Sequence, residues 1–256
     1  MKRIRVIPTL LIQQGGLVKS IKFKDHTYVG DPINAVKIFN EKEVDEIVIL
    51  DISATLENRG PNLESIKEIA SEAFMPLGYG GGISKIAEVK ELISAGVEKV
   101  ILNSIAIKNP SFVREAASYV GSQSIVISID VKKNIWGKYK VYGNNGSRNT
   151  NLDPVEFARQ MELAGAGEIL LNSIDRDGTF GGYDEILIRT VSTSINIPLV
   201  AVGGAAAVED FKIAVNAGAS AVAAGSLFVF QRPHRAVLIS YPQQKELKEK
   251  LFLQSH

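Results

Sequence analysis

Pro76-Leu77-Gly78-Tyr79-Gly80-Gly81-Gly82-Ile83 is a short apolar run that ends in three glycines. Pro198-Leu199-Val200-Ala201-Val202-Gly203-Gly204-Ala205 repeats its outline 122 positions later. The same offset links Asp31-Pro32 with Asp153-Pro154, Glu46 with Glu168, Ala95-Gly96 with Ala217-Gly218, and Ser104 with Ser226. One offset kept across so many pairs marks a chain built from two equivalent halves.

Working outward from that pair, short β-branched runs alternate with segments of helical spacing. Strands are predicted at Arg5–Leu11, Glu46–Asp51, Pro76–Tyr79, Lys99–Asn103, Ser124–Asp130, Glu168–Ile174, Pro198–Val202 and Ala221–Ala224. Helices are predicted between them, among others at Asn34–Asn40, Ile83–Ser94, Pro110–Tyr119 and Val208–Asn216. Asp-Pro supplies a capping side chain ahead of a proline, a helix start, and Ala-Gly supplies a helix stop. Strand–helix alternation implies a parallel sheet with right-handed crossovers. An open sheet has a first and a last strand and no reason to repeat at half its length, so the expected fold is a closed (β/α)8 TIM barrel. It forms a single domain over 1–256, with repeat halves of about 1–122 and 123–240.

The chain has 256 residues, 45% of them hydrophobic, and a formal net charge of +1. That suits one large core and gives no long basic run for nucleic acid. There is no cysteine, hence no disulfide, no zinc–thiolate site and no catalytic thiol. No apolar stretch long enough to span a bilayer and no targeting segment is read, so a soluble cytoplasmic protein without a membrane partner is expected.

In a barrel the ligand site lies at the strand C-termini. There stand Gly81-Gly82 and Gly203-Gly204, with Asn103-Ser104 and Gly225-Ser226 after the fourth and eighth strands. Glycines let backbone amides approach an anion. Two such pairs at symmetric positions predict two phosphate sites across the mouth, and so a phosphorylated small-molecule ligand. The plainer alternative is that they only make tight turns. After the sixth strand, Asp177, Gly178 and Thr179 close a turn that at a barrel top suits ligand positioning, the plainer alternative being an Asx-type turn with a solvated face. At the opposite face, Arg5, Glu46, Lys99 and Glu168 each begin a predicted strand, a poor place for a charge. Two positive and two negative groups there predict a closed ion-pair ring. No cofactor or metal is implied, and His26, His234 and His256 fall outside every motif.

Gly80-Gly81-Gly82-Ile83, Ser128-Ile129-Asp130 and Ser173 through Thr179, taken as a set, resemble HisF, the cyclase or synthase subunit of imidazole-glycerol-phosphate synthase, to about Phe230. The resemblance implies a bisphosphorylated substrate and a HisH-type glutaminase docked on the barrel bottom, near Glu98 and Gln123. It also implies ammonia travelling through the barrel past a gate formed by Arg5, Glu46, Lys99 and Glu168. Lys19 matches the lysine of the family's mobile first loop. The family's chemistry uses two aspartates. One is Asp130; at the position of the other this chain has Leu11.

Leucine moves no proton, and losing such a group costs about 10²–10⁴-fold. With the altered tail His234–Pro242, Leu11 resembles a HisF-like branch associated with bacterial surface-polysaccharide gene sets. There a HisH-like and HisF-like pair supplies ammonia for an amidine on an amino sugar, activated by a separate ATP-using partner. Three readings follow: an ammonia-conducting subunit with impaired cyclase chemistry, a working cyclase relying on Asp130, and a non-catalytic scaffold that activates its glutaminase.

Overall fold

The structure, a computed structural model, describes residues 4–231 and 233–252; His256 lies outside them. Each of the eight predicted strands forms at its place in the chain. The barrel strands are β1 (Arg5–Gln13), β2 (Ile47–Asp51), β3 (Leu77–Gly80), β4 (Lys99–Leu102), β5 (Ile125–Lys133), β6 (Glu168–Ser173), β7 (Leu199–Val202) and β8 (Ala221–Ala224). All neighbours pair in parallel, and β8 returns to β1 in the register Arg5 with Ala221 through Pro8 with Ala224. The barrel is closed.

Two strands outrun their expected ends. β1 runs on to Gln13 and turns into an antiparallel hairpin of Gly16–Ile21 and Lys24–Gly30. β5 runs on to Lys133 and turns into Tyr139–Gly143. Leu11 and Asp130 therefore sit inside extended strands rather than at strand ends. Ladder pairing with the hairpins carries the backbone past the barrel rim. Glu46, by contrast, lies just before β2, and the helix expected from Ile83 starts at Ile86.

The two halves share their caps as well as their outline. Asp31 accepts from the Asn34 amide, and Asp153 from the amides of Val155 and Glu156. Glu88 accepts from the amides of Ser84 and Lys85, and Asp210, its repeat counterpart, from those of Ala206 and Ala207. Each carboxylate satisfies helix-start donors that would otherwise lack partners. Gly81 (φ +127) and Gly203 (φ +93) adopt backbone closed to other residues, and a Cβ there would strike Asp51 and Ser173 respectively. Those two residues are themselves repeat counterparts, so the tight turn is one device used twice.

Outward-facing residues such as Val6, Leu10, Leu102 and Ile127 pack under the helices with Phe39, Val89, Phe157 and Phe211. Inward-facing ones form a separate apolar sleeve of Ile7, Val48, Ile101, Val126, Leu170, Val200, Ala221 and Ala223. No helix among the described residues is long and apolar enough to cross a membrane.

Asp153→Ala is expected to lower stability by about 1 kcal/mol through loss of its cap, read by chemical denaturation. Gly81→Ala, which adds strain to lost space, should cost distinctly more.

Candidate functional site

Alternation along each strand decides what reaches the axis. From the bottom of β1 upward these are Arg5, Ile7, Thr9 and Leu11; from the start of β6 they are Glu168, Leu170 and Asn172. The axis is thus divided into an ionic floor, the apolar sleeve and a polar mouth.

The floor is a closed ring. Arg5 pairs with both Glu46 and Glu168, and the Lys99 ammonium lies 2.8 Å from Glu46 and 2.7 Å from Glu168. Each carboxylate is shared between two cations, and both glutamates are buried. Glu98 and Gln123 are exposed at this same end.

The mouth is a cavity of about 130 Å³ lined by Thr9, Leu11, Lys19, Asn103, Asp130 and Asn172, among others. Its base is made by Leu50, Ile101, Leu170 and Val202, which also belong to or pack on the sleeve, so the cavity opens downward onto the apolar core of the barrel. The rim carries Gly81, Gly82, Ser104, Gly225 and Ser226. A second, smaller recess is lined by Gly178, Gly203, Gly204, Gly225 and Ser226 together with Asp177. The two expected anion loops therefore lie at two recesses that share Gly225, Ser226 and Asp177.

Asp130 is buried and accepts from Asn103 Nδ2 at 3.1 Å. Burial, then the nearby Asp177 carboxylate, push its pKa up to about 7, with the Asn103 and Ser128 hydrogen bonds opposing. Asp177 is likewise raised, chiefly by burial, with Lys19 and the Ser20 hydroxyl at 3.3 Å opposing. Lys19 is buried, donates to the Thr9 carbonyl and lies against Gly225. Burial lowers its pKa to about 8, while Asp177 works the other way. The mouth holds an acid–base group poised near neutrality and a cation beside a glycine loop.

Leu11 lines this cavity and brings no ionisable group to it. Thr179 does not line either recess. Its hydroxyl donates to the Arg176 carbonyl at 2.7 Å and accepts from the Gly181 amide at 3.2 Å, so the turn itself consumes it. His26, outside every sequence motif, is carried to the cavity rim by the first hairpin and helps to lower Asp177. Asn172 is a residue that motif reading missed, although two-residue alternation from Glu168 points to it. Its Oδ1 and the Thr9 hydroxyl are buried without partners in the protein, as befits atoms facing a ligand. Among the described residues no group of three or more His, Asp or Glu is arranged for a metal ion.

A closed (β/α)8 barrel whose cavity opens at the strand C-termini, with paired glycine loops at its rim, defines the class of protein. The profile of the histidine biosynthesis protein family matches residues 5–233. The chain is 50% identical over 248 residues, 96% of its length and 99% of the relative's, to a Pseudomonas aeruginosa protein provisionally named imidazole glycerol phosphate synthase subunit hisF2. It is 47% identical over 254 residues, 98% of its length and 100% of the relative's, to a Leptospira interrogans protein provisionally named the HisF subunit of that synthase. Imidazole glycerol phosphate synthase subunit HisF of Alkaliphilus metalliredigens is 42% identical over 243 residues, 94% of each chain. This chain belongs to the HisF family.

Two outcomes follow from the electrostatics. Because Asp130 is raised in the folded state, its contribution to stability is full below the unfolded value near 3.8 and is lost as pH rises through about 7. Asp130→Asn should therefore gain stability relative to the parent between those limits, by at most ~4 kcal/mol, read by denaturation at each pH. Lys99→Met strips one cation from two buried glutamates and should cost about 3–5 kcal/mol, a loss that a parallel Glu168→Gln change partly relieves.

Proposed function

We propose that this chain is the barrel subunit of a glutamine-dependent amidation complex. It receives ammonia at its floor from a HisH-type glutaminase and conducts it to the mouth for an amidine-forming step on a sugar of surface-polysaccharide biosynthesis. The observation that carries this reading is Leu11. The mouth retains one carboxylate poised near neutrality, while a leucine stands in the strand where the resemblance calls for the second acid. Cyclisation needs proton transfer on both faces of its substrate; passage of ammonia needs neither group.

The rest of the axis suits such passage. Neutral ammonia enters an apolar sleeve at far lower cost than ammonium, whose charge would lose its hydration there. The Arg5–Glu46–Lys99–Glu168 ring would serve as the gate, and the exposed Glu98 and Gln123 would meet the glutaminase. Lys19 and the glycine loops would hold a phosphorylated ligand such as part of a nucleotide-activated sugar, presented to an ATP-using third partner. The relatives at 46–50% identity carry provisional names, and those named HisF without qualification lie at 42–43%, which supports a branch apart.

A second reading, a working cyclase of histidine biosynthesis, is favoured by one specific observation. Asp177, in the same cavity, interacts with Asp130 and Lys19 and offers a second carboxylate.

The deciding measurement is turnover of the family's formimino bisphosphate substrate by the purified chain with excess ammonium salt. No appreciable product is expected from the folded protein, and Leu11→Asp should restore some. Appreciable product from the unaltered chain would overturn the conduit and establish the cyclase.

A further inference from the structure

The hairpin that extends β5 has no part in the reading above, and its composition departs from the rest of the chain. Between Val131 and Asn149 stand Lys132, Lys133, Lys138, Lys140 and Arg148 without a single Asp or Glu, although the whole molecule carries only +1. Lys132 and Lys140 are directly opposite one another across the ribbon. Their ammonium groups are turned to separate partners: Lys132 lies 6.0 Å from the centre of the Tyr142 ring, and Lys140 donates to the Asn151 carbonyl at 3.0 Å.

At the apex, Ile135 is 91% exposed and Trp136 79% exposed. They are held out by a built turn rather than by slack chain. Asn134 Oδ1 accepts from the amides of Trp136 and Lys138, both at 3.0 Å, and the Asn134 amide donates to the Lys138 carbonyl at 2.9 Å. The hairpin rises from the C-terminal end of β5, the end at which the cavity opens. Tyr28, on the hairpin that extends β1 at the same end, is also exposed, at 66%.

We infer that this tip docks the mouth of the barrel onto an anionic lipid surface, with Ile135 and Trp136 entering the interface and the lysines meeting headgroup charge. A convex apex of two large apolar side chains finds its complement most readily in a deformable surface. Tryptophan and lysine are the residues such an interface accepts, and each basic residue near it adds about fivefold to binding. The even charge of the chain as a whole conceals this run of basic residues, whose base is met by the carboxylates of Asp175 and Asp184 while its apex is not. The inference is independent of which reaction the barrel serves.

Trp136 is the single tryptophan of the chain, so its emission reports on the apex alone. The full chain is titrated with phosphatidylglycerol vesicles, with phosphatidylcholine vesicles and with soluble heparin, which offers charge without an apolar interior. A blue shift and co-sedimentation with phosphatidylglycerol only, reversed by salt, are expected. Ile135→Ser and Lys138→Gln, both exposed and outside the mouth, should each weaken binding at least about fivefold. An emission unmoved by either vesicle overturns the inference and leaves the tip to a protein surface. A shift produced equally by heparin, or binding indifferent to both substitutions, also overturns it.

Discussion

Closure of a parallel sheet on itself commits every second side chain of eight strands to one narrow axis. The pairing of β8 with β1 imposes that commitment, because it removes the last edge and leaves the inward side chains only one another as neighbours. Charged, apolar and polar residues must then share a column too thin for bulk water. The chain resolves this by layers. Four charges neutralise one another at the floor, branched aliphatics and alanines fill the middle, and polar groups line the cavity at the top. A mouth built over an apolar sleeve has a low dielectric beneath it, and the shifts of Asp130 and Lys19 toward neutrality follow from that.

The duplicated half adds a second constraint and shows where it is broken. Glu46 and Glu168 both reach the floor ring, Gly81 and Gly203 make the same turn, and Glu88 and Asp210 cap corresponding helices. Both β1 and β5, which begin the two halves, continue into hairpins above the rim. The mouth does not keep the symmetry. β5 brings a carboxylate at Asp130 and β1 brings Leu11; Asn103 faces Asp130 while its counterpart Gly225 lies open to Lys19. Structure is shared between the halves, and chemistry is divided between them.

Much was legible in the chain because it is encoded locally. Eight short apolar runs, the Asp-Pro starts, the Ala-Gly stops and the Gly-Gly turns each depend on residues a few positions apart, and every element appears in its predicted place and order, with only its ends shifted. The four floor charges were legible too, since a charge opening a strand is conspicuous. Leu11 was legible only against a family pattern, not from its own surroundings.

The tertiary structure decided the rest. Asn172 and the Thr9 hydroxyl face the cavity because closure turns that side of the strands inward. His26 reaches the rim because a hairpin folds over the mouth, while the Thr179 hydroxyl is withdrawn by its own turn. Sequence by itself determined the elements, their order and their two-fold repetition, since these rest on short-range periodicity and backbone preference. Only the closed structure decided which side chains share the axis, which carboxylate is raised and which loops overhang the mouth. Those are properties of strands brought together across the barrel, and no local pattern carries them.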